Sequence, residues 1–483
     1  MASAFGSMAA RPVPGSYGLP VLGALRDRLD YFYFQGQDKY FDSRVERHAS
    51  TVVRINVPPG PFMARDPRVV ALLDAKSFPV LFDTDKVEKK DVFTGTYMPS
   101  TSLTGGYRVC AYLDPSEPTH ATVKQLLFSL LLSRKAAVVP AFRSNFSSLF
   151  AAVESQLARR GGGKSDFNKL NDVTSFDFIC EAYFGVRPSA TDLGAGGASR
   201  AAKWLFLQLA PLLTLGLPMF LEEPLLHTLP LPSVLVAGDY RALYDYFSAA
   251  ATEALDVAEG LGLSREEACH NLLFATVFNS YGGFKKLFPG ILADVASAGE
   301  ELHRRLAAEI RGAVAEAGGE VTVAALEKME LTNSVVWEAL RLDPPVKFQY
   351  GRAREDMEIE SHDAAYAVSK GEMLFGYQPC ATKDARVFGP TAGQFVGDRF
   401  VGDEGSKLLQ YVYWSNGRET ETPSVGNKQC PGKNLVVLAG RLFLVELFLR
   451  YDTFTAEVGK DPLGAKVTFT GITKATSGPG TQM

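Results

Sequence analysis

A short turn near the C-terminus constrains this chain more than any other segment. Cys430 is followed by Pro431 and Gly432 and then by a long apolar helix pattern. Gly426 and Gly432 permit a tight turn and a close approach of the backbone to a flat ligand. A cysteine at the start of a helix lies at the positive end of the helix dipole, which favours a thiolate suited to a haem iron. A buried structural cysteine is the alternative that the turn alone leaves open.

Two segments upstream of that turn carry charges that we expect to meet in the fold. Glu338 and Arg341 lie three residues apart on a predicted helix, so the carboxylate and the guanidinium share one face. Arg399 follows in a Gly-Asp-Arg-Phe segment and is predicted to complete a buried Arg-Glu-Arg cluster. A Glu-Arg pair alone is common on exposed helices and says little. It becomes informative here because the Arg399 segment and then the cysteine turn follow it in the sequence.

The composition argues against several classes of site and partner. The chain has 483 residues, is 46% hydrophobic and carries 50 basic and 54 acidic residues, which gives no reason to expect a nucleic-acid partner. Its five cysteines form no CxxC pair, which argues against a zinc site built from such pairs. Their odd number in a core-rich chain also argues against a disulfide framework.

The N-terminus predicts a short extension followed by one large domain. Residues 1–11 are rich in Ala and Ser, and the first acidic residue is Asp27. No apolar run there is long enough for a signal peptide or a spanning helix. We expect residues 1–11 to be a disordered extension and residues 12–483 to form a single haem-thiolate catalytic domain, since no repeat or interdomain linker is evident.

The middle of the chain shows a helical pattern of apolar residues. Ser264 and Glu267 form a capping box that opens a helix, and Pro289 is predicted to end it. Further helices are predicted over residues 292–314 and residues 322–342.

Short β segments accompany these helices. Residues 51–57 and 373–377 are predicted strands, whereas the Gly-rich and Ala-rich stretches at residues 159–165 and 193–202 are predicted surface loops. The predicted fold class is therefore mainly α with a minor β part.

An apolar stretch without charges extends from Trp204 to Leu221. Because it contains Pro211, Gly216 and Pro218, a straight transmembrane helix is improbable. Buried core or a dimer contact is one interpretation, and a patch that makes peripheral contact with a membrane surface is the other.

The order of Glu-x-x-Arg, Arg-Phe and cysteine turn resembles the cytochrome P-450 fold, which implies haem b with Cys430 as axial ligand. The chain departs from the oxygen-activating members in three places. Residues 278–289 lack the acid-alcohol pair that delivers protons to dioxygen, and the loop at residues 414–426 is expanded. His120-x-x-x-Lys124 stands where a Trp-x-x-x-Arg would bind the haem propionates.

His and Lys side chains both donate to carboxylates, so the resemblance makes this pair a candidate for the cofactor, with a solvated helix face as the alternative. The cofactor-binding residues that the resemblance implies are His120, Lys124, Lys428, Gly426, Pro431 and Gly432.

Together these departures resemble the plant fatty-acid hydroperoxide branch of the superfamily, which comprises allene oxide synthases, hydroperoxide lyases and divinyl ether synthases. The resemblance covers residues 12–475. Phe93 and the string Gly-Gly-Phe-Lys-Lys-Leu-Phe-Pro at residues 282–289 favour the allene oxide synthases. The other specific stretches are residues 93–100, residues 112–118, the helix around Asn279, and residues 414–430.

Within that branch, allene oxide synthases dehydrate polyunsaturated fatty-acid hydroperoxides in oxylipin and jasmonate biosynthesis. A C18 13-hydroperoxide is the family expectation, and a 9-hydroperoxide is the alternative. The substrate already contains the activated O–O bond, so no dioxygen, NADPH or reductase is required. The resemblance implies that Asn279 orients the hydroperoxide and that the Phe93 ring stabilises the developing radical or cation. It places Lys285 at the pocket rim or a propionate, and Val346 and Phe348 along the acyl chain.

Several alternatives stay open at this point. The alternative roles of the three candidate residues are core packing for Phe93, a polar contact within the helix for Asn279 and a solvated surface position for Lys285. A hydroperoxide lyase or divinyl ether synthase would share the scaffold, a conventional monooxygenase would need an electron donor, and a haem sensor would be inert toward hydroperoxides. Family members are often plastid-associated, and a cytoplasmic location is the alternative.

Overall fold

The architecture comes from a computed structural model that describes residues 9–159 and 163–475. Helices dominate and the strands form small sheets, so the predicted mainly α class with a minor β part is confirmed. Residues 1–8 of the predicted extension, and residues 160–162 of the first predicted loop, lie outside the described residues.

The helices surround an apolar core. They are α1 (Leu22–Leu29), α2 (Gln37–His48), α3 (Pro118–Ser133), α4 (Val138–Leu157), α5 (Phe167–Phe184), α6 (Gly197–Leu209), α7 (Met219–Glu222), α8 (Ala237–Ala250), α9 (Thr252–Gly260), α10 (Arg265–Leu273), α11 (Gly282–Ala298), α12 (Glu300–Glu316), α13 (Val323–Glu327), α14 (Glu330–Leu342), α15 (Gln378–Thr382), α16 (Ala385–Phe388), α17 (Gly402–Lys407) and α18 (Lys433–Arg450). π-helical turns occupy Asp30–Phe34, Glu223–Thr228 and Phe274–Tyr281.

The strands lie mainly in the first and last thirds of the chain. They are β1 (Arg11–Pro12), β2 (Val52–Asn56), β3 (Arg68–Leu72), β4 (Val87–Glu88), β5 (Ser165–Asp166), β6 (Phe348–Ala353), β7 (Met357–Glu360), β8 (Ala365–Val368), β9 (Met373–Tyr377), β10 (Tyr413–Trp414), β11 (Gly417–Arg418), β12 (Tyr451–Asp461) and β13 (Gly464–Lys474). The largest sheet has the order β2-β3-β9-β6-β4, in which β3 and β9 are parallel. The predicted strands at residues 51–57 and 373–377 are confirmed as β2 and β9. Arg11, placed in the predicted extension, pairs with Tyr366 of β8.

Helix α18 lies at the centre of the core and fixes the position of the cysteine turn that precedes it. Its residues Phe443, Leu444 and Val445 are all fully buried. A helix that is covered on every side needs no polar face, which explains the apolar pattern after Cys430.

Helix α4, with the turn before it, is long and apolar enough by composition to span a membrane. The same composition suits a core helix, because Phe142, Phe146 and Phe150 are fully buried in the protein. The rings of Phe142 and Phe146 stack 4.0 Å apart.

The predicted helix start at Ser264 is confirmed, since its hydroxyl accepts the Glu267 N–H at 3.1 Å and caps α10. The predicted end at Pro289 is wrong, because α11 continues through that residue to Ala298. Phe288 and Ile291 on either side are fully buried, and this apolar burial offsets the hydrogen bond that proline cannot make.

Two more of the predicted helices are each interrupted in the structure. The helix over residues 292–314 breaks at Gly299, whose φ of 81° suits glycine and separates α11 from α12. The helix over residues 322–342 breaks before Glu330, where the buried Met329 leaves the helical region. The predicted loop at residues 193–202 becomes helical at Gly197, because small residues such as Ala201 pack there without exposed surface.

The apolar stretch from Trp204 to Leu221 has two unlike halves. Trp204 is fully buried in α6, and its indole N–H donates to the Leu103 carbonyl at 2.7 Å. Beyond residue 213 the chain leaves the core, and Leu217 and Phe220 are 41% and 72% exposed. Core packing is therefore the right interpretation for the first half only.

Candidate cofactor and substrate site

One large cavity, of about 1020 Å³, collects most of the residues singled out in the sequence. Cys430, Asn279 and Phe93 all line it, and so do Val346 and Phe348. These residues come from four separate segments, so the fold brings together side chains that lie up to 337 positions apart in the sequence.

Cys430 lies at the wall of the cavity, in the turn that leads into α18. Its N–H donates to the Ser415 carbonyl at 3.1 Å, which fixes the turn against the expanded loop. Burial raises the pKa of the Cys430 thiol, whereas the Gly432 N–H and the Lys124 ammonium lower it. Because the net shift of this pKa is upward, a coordinated cation would be needed to hold the thiolate.

The other residues of this turn divide into two groups. Pro431 and Gly432 line the cavity, and a Cβ on Gly432 would lie 3.8 Å from the Cys430 Sγ, which is an ordinary contact. Gly426 is exposed, has no neighbour near a Cβ and does not line the cavity. Within this turn the lining of the cavity begins at Lys428, and the approach of Gly426 to the cofactor stays a prediction.

Buried basic side chains line the cavity near the cysteine turn. His120 is 1% exposed, and its Nδ1 atom has no hydrogen-bond partner within the described residues. Lys124 donates to the Asn427 carbonyl and, at 3.0 Å, to its Oδ1 atom. Lys428 donates to the Cys110 carbonyl at 2.6 Å. The structure thus places the three predicted basic residues on one wall.

A fourth basic residue, Lys89, joins them and was missed in the sequence. It is 3% exposed, and its Nζ donates to the Tyr350 carbonyl at 2.6 Å. Lys89 follows β4, and no spacing connects it to His120 or Lys428, so only the folded chain reveals it.

These cations lack a counter-charge. Burial, with the nearby Lys428 and Lys124, lowers the pKa of His120 to about 3, and burial with Lys428 lowers the pKa of Lys89 to about 7. Over residues 9–159 and 163–475, neither Lys89, Lys124 nor Lys428 has a carboxylate within ion-pair distance. At neutral pH His120 is therefore neutral and Lys89 is only partly charged, and a bound anion would favour the charged forms of these basic groups.

The site fits haem b. The Cys430 sulfur would hold the iron, and the unpartnered His120 nitrogen and the ammonium groups near it would suit two carboxylates.

Asn279 lies in the π-helical turn Phe274–Tyr281, where α10 passes into α11. Its side chain is exposed to the cavity, and its amide makes no hydrogen bond with any part of the chain that the structure describes. π-turns within helices recur at functional sites because they reorient single side chains. The Ser280 hydroxyl donates to the Ala275 carbonyl at 3.1 Å, a five-residue step that follows this winding.

Phe93 is held beside Asn279 by aromatic contacts. Its ring meets Phe278 edge-on at 5.6 Å and Tyr112 edge-on at 5.8 Å. Phe93 is half-buried, so part of its ring remains available to the cavity.

Lys285 lies beside the cavity-lining residues but is turned to α5 in this structure. It pairs with Asp172, and its ammonium lies 5.5 Å from the centre of the Tyr281 ring. The neighbouring Lys286 lines the cavity. The contact of Lys285 with the pocket rim or a propionate stays a prediction.

The predicted Arg-Glu-Arg cluster forms away from the cavity. Glu338 accepts from Arg341 Nε at 2.7 Å and from Arg399 Nε at 2.9 Å. The Glu338 and Arg341 side chains are fully buried, and Arg341 also donates to the carbonyls of Thr382 and Ala392 at 2.8 and 2.6 Å. The cluster ties α14 to the segment that precedes the cysteine loop.

Comparisons with known proteins show the family to which the chain belongs. A family model described as cytochrome P450 matches residues 299–475. The chain is similar to allene oxide synthase 2 of Oryza sativa subsp. japonica, with 78% identity over 97% of each chain. It is 56% identical to the chloroplastic allene oxide synthase of Arabidopsis thaliana, over 96% of this chain and 89% of that one. The chloroplastic allene oxide synthase 1 of Solanum lycopersicum is also 56% identical, over 96% and 87%.

Proposed function

Because the chain belongs to the allene oxide synthases of the cytochrome P450 superfamily, we propose that Asn279 and Phe93 act beside a Cys430-ligated haem to dehydrate a fatty-acid hydroperoxide. The enzyme is a hydroperoxide dehydratase, a carbon-oxygen lyase that uses haem b and requires neither dioxygen nor NADPH. The observation that supports the roles of these residues is the unpartnered Asn279 amide, which faces the same cavity as the Cys430 thiol.

The bound haem supplies cleavage of the O–O bond and one-electron oxidation of the carbon radical that follows. The Cys430 sulfur would hold the haem, and the Gly432 N–H bonded to that sulfur would moderate its electron donation. The basic residues of the same cavity would bind the two carboxylates; they are His120, Lys124, Lys428 and Lys89.

Asn279 orients the hydroperoxide. Its amide offers both a donor and an acceptor, and a hydroperoxide group can use both. A substrate held in this way has its O–O bond fixed over the cofactor, and the entropy of orientation is lost on binding rather than during reaction.

Phe93 stabilises the positive charge that develops on the substrate carbon after oxidation. An aromatic face attracts a cation by about 0.5–2 kcal/mol, with the larger value in a dry site. Phe278 and Tyr112 pack around it and keep water from that carbon. The cation then loses a proton to give the allene oxide.

The remaining cavity binds the acyl chain, and residues 12–483 act as one catalytic domain. Val346 and Phe348 provide apolar wall for the chain. The cavity wall includes Tyr31 near the N-terminal end and Gly464 near the C-terminal end. A site assembled from positions so far apart supports a single domain rather than several.

The substrate enters from a lipid surface. We define the apolar rim as Leu215, Leu217, Phe220 and Leu221, which are 40–72% exposed. Leu215 also lines the cavity, and the buried Glu222 carboxylate accepts the N–H groups of Leu215 and Leu217 at 2.7 and 3.1 Å. The rim is therefore a fixed apolar border of the cavity, which suits transfer of an acyl chain from a membrane.

Liposome flotation tests this membrane contact. The variant Leu217→Asp/Phe220→Asp should float poorly, because each charge opposes insertion of the rim. Leu132→Asp is the matched control, since Leu132 is 76% exposed on α3. Equal recovery of all three proteins would remove the apolar rim from the proposal.

The enzyme is plastid-associated. Relatives of Arabidopsis thaliana and Solanum lycopersicum carry the description chloroplastic. Imaging a fluorescent fusion of the chain in leaf cells checks the compartment, and a diffuse cytosolic signal would contradict it.

The activity is tested by incubating the purified haem protein with linolenic acid 13-hydroperoxide under argon, without NADPH or a reductase. We expect ketols and cyclopentenone acids, the hydrolysis and cyclisation products of an allene oxide. Short-chain aldehydes would show a hydroperoxide lyase, and unchanged substrate would overturn the function.

The same assay tests the two side chains. Phe93→Leu should raise the share of chain-cleavage aldehydes, because the cation loses its aromatic partner and the radical is diverted. Asn279→Leu should slow hydroperoxide consumption by about 10- to 100-fold, the loss expected for one orienting hydrogen bond. An unchanged product ratio in the first variant, or an unchanged rate in the second, would remove that residue from the mechanism.

A further inference from the structure

The π-helical turn that carries Asn279 is held by a tyrosine of a neighbouring helix. Ser280 follows Asn279 directly, and its hydroxyl lies 3.3 Å from the hydroxyl of Tyr183 on α5. Tyr183 is 7% exposed and belongs to the wall of the cavity. It therefore stands behind the segment whose side chain orients the hydroperoxide.

The available protons fix the direction of this hydrogen bond. A serine hydroxyl has one proton, and Ser280 donates it to the Ala275 carbonyl at 3.1 Å. The phenol of Tyr183 is therefore the donor to Ser280. Burial raises the pKa of Tyr183 more than the bond to Ser280 lowers it, and Cys430 adds to the rise, so the phenol keeps its proton.

The bond from Ser280 to Ala275 depends on the wide winding of the turn. In an α-helix a serine hydroxyl reaches the carbonyl three or four residues back, whereas here it reaches the fifth. A π-turn holds one residue more than the α-helical turn that it replaces. If that residue moved past Asn279, the amide would rotate by about 100° around the helix axis. The two hydrogen bonds from Tyr183 to Ala275 thus fix the direction in which Asn279 points.

The helix beyond this turn has its own support from α5. The Asn171 amide donates to the Phe284 carbonyl at 3.3 Å, near the start of α11. The start of α11 is therefore secured without Tyr183. Loss of the phenol hydroxyl should disturb the segment around Asn279 and leave the rest of the helix in place.

We propose that Tyr183 is a positioning residue, which holds the π-helical turn through Ser280 so that Asn279 faces the hydroperoxide. This inference rests on the proposed function and adds the device that keeps the orienting amide in place. Tyr183 acts through its neighbour and not on the reacting atoms. When the turn is free to shift, the step after binding slows, whereas the apolar cavity still binds the acyl chain.

Steady-state kinetics of the haem-loaded enzyme with linoleic acid 13-hydroperoxide test the proposal. In Tyr183→Phe, which removes only the hydroxyl, kcat should fall by about 3- to 10-fold with KM nearly unchanged, because one neutral hydrogen bond is lost. Tyr246→Phe is the matched control. Tyr246 is also 7% exposed, and its hydroxyl donates to the Val186 carbonyl at 2.7 Å, away from the cavity wall. The control should behave as the unmodified enzyme.

A double-mutant cycle distinguishes this role from general support of the fold. In an Asn279→Leu background, Tyr183→Phe should change kcat by less than about 2-fold, because its effect passes through the missing amide. An equal reduction of kcat in both backgrounds would overturn the proposal, and so would an unchanged kcat in Tyr183→Phe alone. If the unmodified enzyme formed no allene oxide products, the proposed function itself would fail, and this inference with it.

Hydrogen exchange measured by mass spectrometry gives a readout that does not depend on turnover. The backbone amides of residues 274–281 should exchange about 3- to 10-fold faster in Tyr183→Phe than in the unmodified enzyme, because the turn opens more often. Those of α11 should exchange at the same rate in both proteins, and so should the turn in Tyr246→Phe. Equal exchange of the turn in Tyr183→Phe and the unmodified enzyme would contradict its support by Tyr183.

Discussion

Two buried clusters of ionisable side chains in this protein differ in whether the chain itself supplies their ion-pair partners. In the cluster around Glu338, one carboxylate is bonded to two guanidinium groups, and Arg341 also donates to two backbone carbonyls. In the cavity, Lys89, Lys124 and His120 are equally buried, yet within the described residues they meet only carbonyls or nothing. The first cluster is satisfied by the chain itself, whereas the second is completed only by a ligand.

This difference separates a structural role from a binding role. Removing one partner of a complete buried cluster leaves charges that nothing compensates, so the fold is weakened. Removing one member of an incomplete cluster relieves repulsion in the protein but weakens binding of the anion that completes it. Stability and ligand retention should therefore respond in opposite ways to substitutions in the two places.

The largest effect is expected for Glu338→Gln. The substitution keeps the shape but leaves two buried guanidinium groups without their carboxylate, and it should cost about 3–5 kcal/mol of unfolding free energy. Urea unfolding followed by circular dichroism measures this loss.

Glu301→Gln is the matched control for that prediction. Glu301 and Arg304 have the same three-residue spacing, but their side chains are 68% and 70% exposed. The loss of unfolding free energy in Glu301→Gln should stay below about 1 kcal/mol, because exposed ion pairs contribute little. Similar costs for the two variants would show that the burial of the Glu338 cluster does not determine its contribution.

A smaller effect, on haem retention and not on stability, is expected for Lys89→Met. The holoenzyme should release haem to an excess of apomyoglobin about 10- to 100-fold faster, since one charge-assisted hydrogen bond to a propionate is lost. Its far-UV spectrum should remain unchanged. Lys90→Met, at an exposed neighbouring position, is the control. Haem release at the same rate in both variants would place Lys89 outside the cofactor site.

The sequence predicted the parts of the site that depend on local spacing. Glu338 and Arg341 share a helix turn, and Cys430 precedes a strongly apolar helix, so both could be identified from neighbouring residues. Lys89 could not, because its place in the cavity depends on the packing of the turn after β4 against β6, more than two hundred residues away.

The error near Asn279 has a different physical origin. Proline usually ends a helix, but at Pro289 the burial of its neighbours outweighs one lost hydrogen bond. The π-helical winding around Asn279 changes the helical phase, so the spacing in the sequence does not decide whether Lys285 or Lys286 faces the cavity.

The smallest effect concerns Asp294, a carboxyl group close to the complete cluster but outside it. Burial, with Asp343 and Glu338 nearby, raises the pKa of Asp294 to about 7, and Lys383 partly opposes the shift. A raised pKa means that the folded protein favours the protonated form, whereas the unfolded chain ionises near pH 4. The stability contributed by this proton is therefore fully present below about pH 4 and is lost as the pH rises through about 7.

Asp294→Asn keeps the neutral form at every pH and should remove this loss. Between pH 5 and pH 7.5 the unmodified enzyme should lose about 1 kcal/mol more unfolding free energy than the variant, after allowance for the solvent that reaches this side chain. Urea unfolding of both proteins at the two pH values gives the difference, and titrations common to both cancel. Parallel pH profiles would show that Asp294 is ionised in the fold. The contrast between the complete cluster and this neighbouring carboxyl group, which forms no ion pair within the described residues, would then disappear.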